Sequence, residues 1–472
     1  MVKKKLKTIK NKVKNKPLLT GIVIWYVFMW SWVLFTDTLD LAGNKTQGFI
    51  VALIVLAFNV ALSTVIIWQG FRVAKWLLKK YPSWIVITLV PLFALADWLV
   101  AWIPAALWIG PQGRLDSVLP LATPSLLVIN TPLGFGARFV GFFGLAGFFW
   151  ATIALIANKN YRKLAYIPVT ILVAFSFIGW LAYKTPNGVD FKATIISENL
   201  DDHVPPVDNQ SDLVVFPEYG MDEITNDNLD ERLARISDSE HKTFFLGSQQ
   251  IFPEDGQQAG HLNTLLYGNS IDGITLAQDK YRLIPGGEDL PYLLRTGLRA
   301  TNQKDTLDYF SYAKGVIKGS QQLQPLKVND DVIVGAAVCS SIISPQDYRE
   351  FTSNGATVLS NSASLTIFKG SPLFAWQQKS FAKFMAIANS RYFLQSANAA
   401  RAYMLDNNGT TKAEESGTKI INVTATTNTA KTPYTLIGDW LPALGALMAS
   451  YLIFRHKYIA KKPKKKTKTK NH

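Results

Sequence analysis

Long apolar runs alternate with short charged stretches in the first third of the chain, and the pattern changes near residue 185. Five apolar segments, Leu18–Phe35, Gly48–Trp68, Trp84–Ile109, Gly134–Ala157 and Ala165–Tyr183, come before that point, and a sixth, Tyr434–Phe454, comes late. Each is close to or above the roughly 18 to 20 residues a helix needs to cross a bilayer. The pattern therefore predicts a multi-pass α-helical membrane domain over residues 18–184 and one further crossing at 433–454. Residues 117–131 are apolar too, but short and interrupted by prolines, and read as an interfacial or re-entrant segment.

Between the fifth and sixth crossings the periodicity becomes that of an α/β domain, residues 185–432. Short β-branched runs (Lys192–Ile196, Leu213–Phe216, Thr243–Leu246, Thr264–Tyr267, Val332–Val338, Thr357–Leu359 and Tyr392–Gln395) alternate with turns and with helical stretches at Asn228–Ile236 and Phe374–Asn389. About 240 residues suffice for one large domain.

Charge orients these parts. Residues 1–17 carry eight lysines and residues 455–472 carry nine Lys and Arg, neither with an acid, against a net charge of +15 for all 472 residues. The remainder is slightly acidic, so the basicity argues for an anionic inner leaflet as partner and against nucleic acid. With both tails cytoplasmic, the loop bearing Arg72, Lys75, Lys79 and Lys80 and the loop 158–164 fall inside, while 36–47 and 110–133 fall outside. The α/β domain is then extracytoplasmic, in a multi-pass protein of the cell (cytoplasmic or inner) membrane. Residues 1–36 read as an uncleaved anchor, because the apolar stretch is long and no small-residue cleavage site follows it.

Three strand ends carry candidate chemistry. Phe216-Pro217 stops a buried strand and projects Glu218; Lys280 precedes a short strand and a Pro-Gly-Gly turn that carries Glu288. The lone cysteine, Cys339, ends the apolar run Val332–Val338. A carboxylate, an ammonium and a thiol are the base, electrostatic stabiliser and nucleophile of acyl transfer. Taken singly, Cys339 reads more readily as a small core hydrophobe, and the charged residues as surface groups; their ordered combination is what points to chemistry. The five histidines include no H-x-x-x-H pair, and neither a phosphate-binding loop nor a G-x-S-x-G elbow occurs, so no metal or dissociable cofactor is expected.

The order Glu218, Lys280, Cys339, with Asn263–Tyr267, Asp279–Glu288, Leu359–Ser364 and Ala397–Gly409 around them, resembles the nitrilase (carbon–nitrogen hydrolase) superfamily. Placement of such a domain between several crossings and a final one resembles its membrane-bound branch, the apolipoprotein N-acyltransferases. That resemblance implies an α-β-β-α sandwich and a Glu-Lys-Cys triad. It implies transfer of an acyl chain from a membrane phospholipid, through a Cys339 thioester, to the α-amine of an S-diacylglyceryl cysteine on a lipoprotein. Glu218 would be the base, Lys280 and the Ser340 backbone N–H would hold the oxyanion, and Glu288 would orient Lys280.

Two departures stand out: Ser340 and Ser341 replace the aromatic residue and glutamate that commonly follow the family's cysteine, and Gly286 replaces an aromatic after the proline. They make the chain a divergent member. Other readings of the same residues are a membrane-bound amidase or other acyltransferase, and a non-catalytic scaffold. In the helical part, Asp97, beside Trp98, is expected to face the bundle or a polar cavity. Arg138 is expected either to meet a phospholipid phosphate or to snorkel to the interface.

Overall fold

A computed structural model describes residues 16–36, 44–81, 83–198, 210–220, 243–251, 260–269, 271–313, 315–319, 323–368 and 370–455. The helical stretch expected at 228–236 and most of both basic tails lie outside these residues. Apolar sequence forms helices α1 (Lys16–Trp30), α2 (Lys45–Lys80), α3 (Leu89–Leu107), α4 (Ala137–Ala157) and α5 (Tyr166–Tyr183). With their flanking 3-10 turns, these five helical segments are long and apolar enough to cross a membrane.

Two boundaries differ from those the apolar pattern gives. Helix α2 runs for 36 residues, about 54 Å at 1.5 Å per residue, nearly twice a hydrocarbon core. Arg72, Lys75, Lys79 and Lys80 therefore ride on its last turns rather than on a loop. The late apolar segment is not one helix but two: Gly438, at φ 66°, separates Pro433–Ile437 from Trp440–Phe454. A run of apolar residues does not reveal such a break, because hydropathy is blind to backbone dihedrals.

Gly438 and Gly141 form a matched pair of interruptions. Gly141 opens α4 at φ 70°, ψ −169°, and the Phe143 N–H nearby donates to Asp439 Oδ1 at 3.0 Å. A Cβ on Gly141 would lie 2.3 Å from that same carboxylate oxygen, so only glycine admits the approach. Residues 117–131 fold back into the bundle, with a short helix at Ser125–Val128. Their buried polar groups find partners within the protein. Thr123 Oγ1 donates to Asp97 Oδ2 at 2.5 Å, and the Leu121 carbonyl accepts from Gln377 Nε2 at 2.9 Å. Asp97 is thus inside the bundle, with Trp150 Nε1 donating to its other oxygen at 3.1 Å.

The α/β domain contains strands β1 (Asp190–Glu198), β2 (Leu213–Val215), β3 (Phe244–Ile251), β4 (Leu262–Asn269), β5 (Gly273–Asp279), β6 (Leu326–Lys327), β7 (Ile333–Val338), β8 (Val358–Ser364), β9 (Phe393–Asn398), β10 (Ala402–Leu405), β11 (Thr411–Glu415) and β12 (Lys419–Thr426). Hydrogen bonding joins them in the order β5-β4-β3-β2-β1-β9-β8-β7-β6, with β12 on β1 and the β10–β11 hairpin on β9. Among the described residues, the sheet ladder joins its two halves where Ser197 and Glu198 pair with Ala397 and Asn398. Alternate residues of both halves, such as Ile195, Val215 and Leu246 from one and Val334, Ala336, Val358 and Leu394 from the other, form a single buried cluster. The sheet curls so that its halves face each other, which is the sandwich core.

The opposite side of the second half is covered by helices α7 (Pro345–Ser353) and α8 (Pro372–Asn389), and through them by the apolar bundle; α6 (Tyr292–Ala300) lies on the loop between the halves. Phe142 of α4 packs on Phe381 and Phe384 of α8, with ring centroids 5.4 and 4.9 Å apart. Arg138, fully buried, locks this junction: its guanidinium donates to the carbonyls of Ile387, Gly179 and Asn407 at 3.0, 2.7 and 2.8 Å, and to Asn408 Oδ1 at 3.1 Å. Those carbonyls, not a lipid phosphate or the bilayer interface, take up its donors.

Replacing Arg138 with Met leaves these acceptors buried and unpaired, at a cost of about 3 kcal/mol. Thermal unfolding in detergent should show a clearly lowered midpoint, and Arg138→Lys, which lacks the planar fork, should not restore it.

Candidate active site

Three strand ends meet at one point. Strand β2 ends where Phe216 N donates to Leu246 O at 2.7 Å; Pro217 then offers no N–H, and the chain turns through Tyr219 at φ 67°. The turn aims Glu218 inward, where it is 2% exposed. Its Oε1 accepts from Asn263 Nδ2 at 2.7 Å and from Lys280 Nζ at 3.1 Å, and its Oε2 accepts from the Ser364 backbone N–H at 3.0 Å.

Lys280 leaves the end of β5, its N–H held by the Asn263 carbonyl at 2.7 Å. The ammonium lies between Glu218 and Glu288, with a short hydrogen bond to the latter. Glu288 is fixed in turn by the Pro-Gly-Gly turn: Ile284 N donates to its Oε2 at 2.9 Å, and the Ile284 carbonyl accepts from Gly287 N and Glu288 N.

Strand β7 delivers Cys339, which adopts φ 44°. This left-handed conformation costs a non-glycine residue about 1 kcal/mol or more and concentrates at functional turns. Here it swings the chain from β7 into a 3-10 turn, Cys339–Ile343, with the thiol 3.6 Å from the Ser364 carbonyl. Ser364 thus touches both the carboxylate, through its N–H, and the thiol, through its C=O.

The electrostatics are those of a resting thiol. Burial pushes the Cys339 thiol well up, Glu218 and Glu288 push it further, and Lys280 pulls in the opposite direction. Burial works against the Lys280 ammonium, but Cys339, Glu218 and Glu288 outweigh it and hold its pKa well above the ordinary value. Burial also raises Glu288, against the pull of Lys280.

A second network braces the turn after the thiol. Ser340 Oγ donates to the Arg282 carbonyl at 2.5 Å. The Arg282 guanidinium forms a two-point pair with Asp347 of α7, at 3.0 and 2.9 Å, to which Tyr281 OH also donates at 2.8 Å. Ser341 is buried, and the carboxylate next along the chain, Asp347, is fully engaged by Arg282 and Tyr281. Among the described residues Glu218 and Glu288 are therefore the two carboxylates paired with Lys280.

Cys339 and Ser340 also line an apolar cavity whose far wall is made by the bundle: Trp30 of α1, Trp32 beyond it, Val51, Ala52 and Val55 of α2, and Trp108. Gly286 borders it, and nothing lies within 4 Å of where its Cβ would be. The missing aromatic thus leaves open space beside the cavity.

Sequence reasoning assigned no role to Asn263, Ser364, Arg282 or Asp347. Ser364 acts through its backbone, which no side-chain pattern encodes. Asn263 and Asp347 are polar residues that declare themselves only by full burial.

Two measurements follow from this electrostatic setting. Alkylation of Cys339 by iodoacetamide should keep rising above pH 9, with no plateau near the ordinary thiol value of about 8.5. Glu218→Gln removes an anion that holds the thiol up, so the alkylation profile should move to lower pH.

No family model matches the sequence, and no curated protein matches it. Among solved structures, similarity is found to Nit3 of Saccharomyces cerevisiae, a member of branch 10 of the nitrilase superfamily, at 11% identity and a TM-score of 0.36 over 51% of this chain and 91% of that one. A carbon–nitrogen hydrolase of Helicobacter pylori gives 12%, 0.37, 57% and 99%. A double mutant of the amidase of Nesterenkonia sp., in complex with acrylamide, gives 12%, 0.35, 57% and 99%. The structural neighbours are thus nitrilase-superfamily proteins at low identity, and at these values no activity passes from them to this chain.

Proposed function

We propose that the protein is a membrane acyltransferase that takes an acyl chain from a phospholipid and passes it, through a thioester on Cys339, to an amine, in the manner of apolipoprotein N-acylation. The observation that carries this reading is the apolar cavity lined both by Cys339 and by residues of α1 and α2. A water-soluble amide has no use for a slot walled by helices of membrane length, whereas an acyl chain gains about 0.8 kcal/mol for each CH₂ it buries.

In this scheme Glu218 takes the proton from Sγ as sulfur attacks the ester carbonyl. The oxyanion forms near Lys280 Nζ and the Ser340 N–H. Collapse breaks the carbonyl carbon–oxygen bond, Glu218 returns its proton to the leaving lysophospholipid alkoxide, and the thioester remains. The amine of the acceptor, a diacylated lipoprotein N-terminus, then attacks. Glu218 accepts a proton from nitrogen, the carbon–sulfur bond breaks, and the proton passes to the thiolate. The domain lies on the extracytoplasmic side, with both basic tails inside.

Incubation of the purified protein with phospholipid should add one fatty-acyl mass, removable by hydroxylamine, to the peptide containing Cys339, and Cys339→Ala should abolish it. A diacylglyceryl-cysteine peptide should then clear the adduct and become an amide. Clearance to free acid at the same rate without the peptide would instead identify a hydrolase. Absence of any adduct on the folded protein would reject phospholipid as donor.

A further inference from the structure

A second pocket, largely apolar but with charged groups at its edge, shares a wall with the cavity beside Cys339. It lies between the start of α8 and the β10–β11 hairpin, and Leu365, Phe368 and Gln378 line both spaces. Leu365 directly follows Ser364, the residue that contacts both Glu218 and Cys339.

Two of the residues that line the pocket carry buried donors without partners among the described residues. Tyr403 is 2% exposed and Gln378 4%, yet neither Tyr403 OH nor Gln378 Nε2 has a hydrogen-bond partner among the described residues. Leaving such groups empty costs about 1 to 3 kcal/mol each, so a ligand that accepts hydrogen bonds is favoured there. Two cations flank these donors. Lys379 Nζ lies 5.3 Å from the centre of the Tyr403 ring and 2.7 Å from Glu414 Oε2, and Arg401 Nη1 reaches Glu414 Oε1 at 3.3 Å. One carboxylate against two cations leaves one net positive charge.

The position of the pocket sets the source of that ligand. From the opposite side of α8, Gln377 Nε2 donates to the carbonyls of Met29 and Leu121, each at 2.9 Å, and one turn beyond Lys379, on its own side, Lys383 Nζ donates to Asn130 Oδ1 at 2.8 Å. Met29 is in the last turn of α1, and Asn130 closes the re-entrant segment. The pocket therefore sits beside the end of α1 and the end of the segment 117–131, a position that suits a lipid headgroup.

We infer that Lys379, Arg401, Tyr403 and Gln378 form the subsite for the phosphate of the donor lipid, beside the cavity that takes its acyl chain. This assignment rests on the phospholipid-donor reading above and gives the headgroup a place that Arg138, enclosed by carbonyls, does not provide.

The test uses the full-length protein in nanodiscs of phosphatidylcholine and phosphatidylglycerol, with acyl mass on Cys339 as readout and p-nitrophenyl palmitate as a phosphate-free donor. Tyr403→Phe and Lys379→Gln should each slow acylation from phospholipid about tenfold and leave acylation from the nitrophenyl ester unchanged. Tyr403→Phe should not lower the unfolding midpoint, since its hydroxyl has no protein partner to lose. Glycerophosphate should slow the phospholipid reaction alone.

Equal losses with both donors, or no loss with phospholipid, would overturn the subsite while leaving the acyltransferase reading intact. Glycerophosphate binding that depends on Tyr403, without any change in the phospholipid rate, would make the site one for a free phosphate and overturn the lipid assignment. Acylation of the wild-type protein by the nitrophenyl ester but never by phospholipid would overturn the donor reading, and the subsite with it.

Discussion

The site depends on keeping an ammonium and two carboxylates out of water. Lys280 is held between Glu218 and Glu288, and desolvation at this depth is repaid only if every remaining lone pair and proton finds a partner. The surrounding structure meets much of that demand: Asn263 and Ser364 donate to Glu218, the Ile284 N–H donates to Glu288, two of the three ammonium protons are taken by these carboxylates, and the Asn263 carbonyl fixes the Lys280 main chain. Those partners come from β4, from the end of β8 and from the Pro-Gly-Gly turn, so the ion pair exists only when both halves of the curled sheet are in place. The same crowding of anions around Cys339 keeps it a thiol at rest.

A second constraint joins this site to the helices. The apolar bundle and the α/β domain share one continuous hydrophobic cluster, pinned by Arg138 and by Gln377. That junction frames the cavity lined by α1, α2 and the Cys339 turn, where Cys339 adopts its left-handed backbone conformation. The Arg282–Asp347 pair serves the same end from the other side, tying the strand that carries Lys280 to the helix that follows Cys339.

Much of this was legible in the sequence. The five long apolar helices announce themselves by length, and strands such as Val332–Val338 by β-branched runs bounded by turns. The order of Glu218, Lys280 and Cys339 at three strand ends pointed to the cluster they form. Other features were silent for physical reasons. Strand β11, Thr411–Glu415, is a polar edge strand with no apolar alternation to read, and β6 is two residues long. The breaks at Gly141 and Gly438 are dihedral events inside apolar runs. The extension of α2 through Lys80 was hidden because basic residues near an apolar end look the same on a loop and on a helix. Arg138 reads from sequence as an interfacial cation, whereas four protein acceptors, three from residues 387–408, enclose it.

The central claim is that the cavity walled by α2 delivers an acyl chain to Cys339. It is tested most directly by filling that slot with Val55→Trp and measuring acyl mass on Cys339 from two donors, phospholipid and the short, water-soluble p-nitrophenyl acetate. The account predicts that acylation from phospholipid is lost while acetylation is unchanged, because the nucleophile is intact and only the path for the chain is closed. Undiminished acylation from phospholipid in the filled protein would contradict it.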